Sequence, residues 1–236
     1  MPSDTAPSRR ERIRADTRTE ICEHGLAQVA EGGPGALSLT GIAKAMGMSG
    51  PALYRYFASR DDLLVALVEA SWADIADTLT EAAKRTQSAT PEERLRAALN
   101  GTRQWALRQP HRYRLVFGSS YGSGKLDPDR IAPPSQRAME TVLAALSELG
   151  PSERAATVSD SELRRELVHW GNGSEDSPHD PRVLFLGLLA WTRIHGIISL
   201  EIEGFFEQIG IEPARIFKAE VDHLVAQRTS APSRRA

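Results

Sequence analysis

Arg55 stands between Tyr54 and Tyr56, one to two helical turns after Ser49, Gly50, Pro51 and Ala52. A guanidinium is a planar fork of donors that matches the O6 and N7 acceptors of guanine. Phenol and hydroxyl groups hydrogen-bond phosphate oxygens, and the apolar surface of Pro51 and Ala52 suits a thymine methyl. Ser38 and Thr40 lie one helix upstream, and Arg60 lies five residues downstream. The chemistry of this set is recognition of nucleic acid rather than bond-making.

Such a set works only if two short helices hold it. Ser38 can cap a first helix in which Leu39, Ile42, Ala43 and Met46 fall at helical spacing. Gly47 sits where the chain must turn, and glycine alone takes positive φ there without cost. Ser49 is the next cap, and Pro51 falls in the first turn, where a missing N–H leaves nothing unsatisfied. Leu53 and Phe57, four apart, point to the core and leave Tyr54, Arg55 and Tyr56 largely on the other side. The pattern predicts a helix-turn-helix whose second helix enters a DNA major groove.

The run IAKAMGMSGPALYRYFASRDDLL resembles the signature of the TetR family of bacterial transcription regulators, over roughly residues 10–70. That family often carries Arg at the position of Thr40, His at that of Tyr56 and Lys at that of Arg60. The later run AWTRIHG resembles the Trp-His-Gly motif of one C-terminal domain type in the same family, with Trp191, His195 and Gly196 on it. The resemblance implies a homodimer that binds a double-stranded DNA operator and answers to a small-molecule effector.

Composition is that of an ordinary globular protein. Hydrophobic residues make up 41% and charged residues 25%, with a formal net charge of -2. That excludes a protein that coats nucleic acid by bulk charge. Residues 1–60 hold 8 Lys/Arg against 6 Asp/Glu, so the positive excess lies beside the helix-turn-helix. The single cysteine, Cys22, permits no intrachain disulfide and reads as a small buried hydrophobe. The N-terminus is polar without a signal-peptide core, and the longest apolar run, Val183 to Trp191, is too short to span a bilayer. The expected location is cytoplasmic, with no membrane partner.

Residues 1–8 and 229–236 read as disordered. Arg9, Arg10, Arg12 and Arg14 open the first helix as a basic arm, either a solvated face or a set of phosphate contacts. That helix runs to about Ala30, with Ile13, Ile21, Leu26 and Val29 inward. Ser59, Asp61 and Asp62 start a long helix to about Thr86. Thr90-Pro91-Glu92-Glu93 starts another, and 111–117 is a short helix. The stretch 118–134 is read as loop-rich. Helices follow over 134–149 and 161–170, then 181–208 and 213–228. Residues 183–206 are apolar on nearly every side, and Gly187 and Gly196 permit close helix approach. The fold class expected is all-α, with a helix-turn-helix domain over 9–58 and a helical effector-binding and dimerisation domain over 59–228.

Trp72, Trp105, Tyr113, Phe117, Trp170, Trp191 and His195 are the candidate ligand contacts, since aromatics on middle helices line apolar pockets as well as filling cores. Tyr121-Gly-Ser-Gly-Lys125 misses the phosphate-loop pattern at Ser119 and Leu126. His169, His179 and Asp180 do not make a metal site, and no cofactor is implied. No nucleophile–base–orienter set is legible. The reading is a ligand-responsive repressor released from DNA by a small apolar molecule. The alternatives are an effector-free architectural DNA binder and an enzyme on the same fold.

Overall fold

The computed structural model describes residues 8–118, 128–150, 159–172 and 179–229. Every regular element among them is a helix: α1 (Arg9–Gly32), a 3-10 turn (Pro34–Ala36), α2 (Leu39–Ala45), α3 (Gly50–Tyr54), α4 (Arg60–Arg85), α5 (Pro91–Arg108), α6 (Pro110–Phe117), α7 (Pro128–Leu149), α8 (Ser161–Asn172), α9 (Pro181–Ile202), α10 (Phe205–Gln208) and α11 (Pro213–Thr229). The all-α expectation holds. The hint of a phosphate loop at 121–125 lies outside the described residues.

The helix starts follow their caps. Ser38 accepts the Gly41 N–H at 3.1 Å, Ser59 accepts that of Asp62 at 3.0 Å, and Thr90 with Glu93 closes a capping box on α5. Three expectations fail. Ile13 is not inward but 53% exposed, because the buried side of α1 begins only at Ile21. Residues 128–134 are helical rather than loop, and they carry Pro133 and Pro134 inside α7. The run 181–208 is not one helix: it breaks at Gly204, which takes φ 72°, and α10 follows separately.

The chain forms two compact units. The first takes the chain through Trp72 together with His111–Ile131. Its core joins Ile21 and Leu26 of α1, Ile42 of α2, Leu53 and Phe57 around α3, Leu63 and Leu67 of α4, and Leu115 of α6. The packing unit around the helix-turn-helix thus extends beyond residue 58, since the first half of α4 and α6 share its core. Unit two takes Ala73–Pro110 and Ala132 onward. There Trp105, Leu143, Leu146, Ile194, Ile198 and Phe217 are buried. Arg103 of α5 bonds Glu201 of α9 at 2.8 Å and lies over the Phe217 ring of α11 at 5.4 Å, tying three helices together.

α9 has mean hydropathy 1.7 over its most apolar 18-residue window, long and apolar enough by composition to cross a membrane, yet only 39% of that window is buried within the protomer. Its two expected close-approach glycines differ. A Cβ on Gly187 would meet Leu143 Cδ2 at 2.4 Å, so the missing side chain is what lets α7 approach. Gly196 faces open space instead, with nothing within 4 Å.

Candidate nucleic-acid interface

The turn between α2 and α3 rests on local hydrogen bonds. Gly47 takes φ 63°, and the Met48 N–H donates to Ala43 O at 2.8 Å, which closes α2 and redirects the chain. Leu53 and Phe57 are wholly buried. They anchor the inner side of α3, and the opposite side is thereby fixed outward. Ser49, Pro51, Tyr54 and Arg55 are exposed, with Gly50, Ala52 and Tyr56 half-buried. Tyr54 is 51% exposed, a large aromatic left in water by an otherwise well-packed unit.

The expected contact residues are not equally free. Ser38 is engaged: its N–H donates to Gln28 Oε1 at 2.8 Å and its hydroxyl caps α2, 3.1 Å from Thr40 Oγ1. Thr40 is exposed beside it. Ser49 makes no side-chain capping bond, so its hydroxyl stays outward. Tyr56 packs partly against the core. Arg60 turns back: Nε donates to Leu37 O at 3.2 Å and Nη2 to Pro34 O. Its guanidinium fastens the start of α4 to the segment before α2.

Two side chains of α1 reach the end of α3. Arg18 Nη1 donates to Tyr56 O at 3.0 Å, with the guanidinium 4.1 Å from the Phe57 ring centre. Arg14 Nη2 reaches Arg55 O at 3.5 Å and lies 5.9 Å from the Tyr56 ring centre. Arg14 was legible only as part of a basic arm, and Arg18 had no signal beyond its charge. Arg130, at the start of α7, grips Glu69 through two 2.7 Å bonds and Asp62 at 3.3 Å. The second Asp62 oxygen accepts the Ala58 N–H at 3.1 Å, just after α3.

The candidate ligand residues do not form one set. Trp72, Phe117 and Tyr113 make an aromatic cluster in unit one, with ring centres 5.2 and 4.9 Å apart along the chain of contacts. In unit two Trp105 is buried and its indole N–H donates to Asp74 at 2.9 Å. Trp170 on α8 is 39% exposed, while Trp191 and His195 on α9 are half-buried. Burial pushes the His195 imidazole below the usual histidine range. An open groove of about 420 Å³ in unit two is lined by Ala83, Lys84, Arg94, Arg137, Thr141 and Glu148 among others, and by none of the seven.

His179 lies nowhere near a metal-ligand set of the described residues. It is buried between α7 side chains, with Nδ1 2.8 Å from Ser147 Oγ and Nε2 2.9 Å from Glu140 Oε2. This Ser–His–Glu contact brings together residues far apart in the sequence, so no local motif announces it. It fastens the segment before α9 to α7.

Residues 21–67 match the family described as bacterial regulatory proteins, tetR family. Residues 95–224 match the family described as tetracyclin repressor-like, C-terminal domain. The second match carries that general description and not the Trp-His-Gly type. The HTH-type transcriptional regulator Rv1816 of Mycobacterium tuberculosis is 29% identical over 227 residues, covering 92% of this chain and 94% of the relative. The crystal structure of SCO4313, a candidate regulatory protein, is 34% identical with TM-score 0.75 and covers 94% of this chain and 100% of that one. The fold is also that of FadR from Bacillus subtilis, solved with stearoyl-CoA, at TM-score 0.56, 16% identity, and 89% and 98% coverage.

Proposed function

This chain belongs to the TetR family of DNA-binding transcriptional regulators, and from that membership we propose that it acts as a homodimeric, cytoplasmic repressor released from its operator by a small apolar molecule. The observation that carries the DNA-binding part is the division of α3: Leu53 and Phe57 wholly buried, Tyr54 and Arg55 fully outward. In the proposed complex α3 lies in the major groove. Arg55 reads guanine through two parallel hydrogen bonds, Pro51 and Ala52 lie against base edges, and Tyr54 and the Ser49 hydroxyl hold phosphates. Arg60 holds the fold through its bonds to Leu37 and Pro34, and its side chain, still 43% exposed, keeps donors for a phosphate.

The second copy covers α9. α9 is apolar along its length, yet most of its most apolar window is half-buried or exposed, and apolar surface left partly in water favours an apolar cover. Leu200, Phe205, Ile209 and Ile211 add exposed apolar surface at the same end of the chain. Two copies would place two reading helices on two half-sites.

The effector is proposed as an apolar molecule touching some of the seven candidate residues. The stearoyl-CoA complex of FadR supports that chemical class for the fold, not for this chain. Coupling between effector and operator of about 1–3 kcal/mol would change operator affinity roughly 5- to 150-fold, and DNA would weaken effector binding equally. Effector binding would shift the long helix that starts at residue 60 and change the separation of the two reading helices. No group is assigned a catalytic role.

The test is selection of duplexes from a randomised DNA pool by the full chain. The expected product is a two-fold symmetric sequence bound by a dimer. A pool that yields no enriched sequence would remove the reading, and a monomer on a single half-site would remove its dimeric part. Screening apolar compounds by tryptophan fluorescence and by release of the selected duplex tests the effector. Failure of both readouts across a broad set favours the effector-free alternative.

A further inference from the structure

α3 has only five residues, too few to hold a helix or an orientation by itself. Its inner side is fixed by Leu53 and Phe57. What fixes its far end is Arg18 of α1. The chain just past a short helix needs its own tether, and a cation that donates to a backbone carbonyl there makes a charge-assisted hydrogen bond. Arg18 supplies it. Its Nη1 donates to Tyr56 O at 3.0 Å. Its guanidinium lies 4.1 Å from the ring centre of Phe57, the residue that anchors the inner side. One planar group therefore holds the backbone just past α3 and stacks on its anchor, a geometry that a lysine ammonium cannot reproduce. Arg14 adds a longer contact one turn earlier, to Arg55 O.

We propose that Arg18 is a positioning residue for sequence recognition: it sets where Arg55, the base-reading side chain, points without itself contacting DNA. The proposal rests on the reading of α3 as the base-contacting helix. It distinguishes Arg18 from the exposed arginines Arg9, Arg10 and Arg12 on the same helix, whose natural partner would be phosphate. A phosphate contact strengthens binding to every sequence and steepens the salt dependence. A positioning contact strengthens binding only where the side chains it places meet the right bases.

The test uses the full-length chain, a duplex selected by the native chain from a random pool, and a scrambled duplex of the same composition. R18Q is expected to bind the selected duplex about tenfold more weakly, as suits loss of a charge-assisted hydrogen bond and a cation–ring contact. Binding to the scrambled duplex should stay within about twofold, with an unchanged slope of log affinity against log salt. Equal loss on both duplexes with a slope shallower by about 0.9 would make Arg18 a phosphate contact and overturn the proposal. Unchanged affinity for the selected duplex would overturn it too. If R18Q loses helicity by circular dichroism, R18K carries the same comparison, because it keeps the charge and loses the planar fork. R18K matching the native chain on both duplexes then counts against the proposal. Y54A and R55A separate this from the underlying reading: if neither weakens the selected duplex, α3 is not the reading helix.

Discussion

α3 and α9 leave opposite kinds of surface uncovered. α3 is five residues long, buries Leu53, and turns Tyr54 and Arg55 outward under the hold of two arginines from α1. α9 is 22 residues long and leaves most of its most apolar window half-buried or exposed, with Leu200 exposed. The first is a small rigid polar and aromatic face, suited to a partner that is itself polar and read by geometry. The second is a long apolar face, suited to a partner that is apolar and self-complementary. The difference in what would cover each region is what supports the proposal of DNA for one and a second copy for the other.

The comparison breaks most sharply if the anchor of α3 is removed. Phe57→Ala takes a wholly buried ring from the core that α3 shares with α1 and α4. It should lower unfolding free energy by about 3–5 kcal/mol in a denaturant titration. A loss below about 1 kcal/mol would mean that α3 is held by something other than this core.

The α9 side is tested by charging its uncovered surface. Leu200→Arg together with Phe205→Arg alters residues each 43% exposed in the protomer, so folding should survive. Sedimentation should show a monomer in place of the dimer. An intact dimer would move the interface elsewhere.

The two glycines of α9 sharpen the same point at smaller cost. Gly187→Ala must push Leu143 aside and should destabilise the chain by about 1–3 kcal/mol. Gly196→Ala enters open space and should instead raise monomer stability by up to about 1 kcal/mol through helix propensity. Weakened dimerisation by the second variant, with the monomer sound, would place Gly196 where the copies meet.

The smallest effect concerns pH. His195 and His111 both have imidazoles held below the usual range by burial. A histidine whose folded pKa is depressed takes up protons more readily when unfolded, so stability rises with pH. Stability should be complete above about pH 6.5 and decline as pH falls below it. His195→Gln should flatten that decline in a series of thermal melts. An unchanged profile would assign it to other groups.

Much of α1 to α4 was legible because its signals are local. Ser38, Gly47, Ser59 and the four-residue spacing of Leu53 and Phe57 each specify their own few residues. What stayed hidden depends on residues distant in the chain. Arg60 is exposed, as its charge suggests, but nothing local announces that it also bonds Leu37 O and Pro34 O. His179 looks like a loose histidine until Ser147 and Glu140 close on it. Ile13 fits the helical stripe of α1, yet its side chain is left 53% exposed. The aromatic residues were countable, but which of them share a cluster was not: Trp72 joins Phe117 and Tyr113, while Trp105 is satisfied by Asp74.

Base preference is the most direct test of the claim that α3 reads DNA from its outward side. Binding of Arg55→Ala is measured on the selected duplex and on its single-position variants. The account predicts a loss of about 1–3 kcal/mol on the selected duplex, with preference relaxed at one position of each half-site and kept at the others. A uniform loss on every duplex, with base preference unchanged, would contradict it.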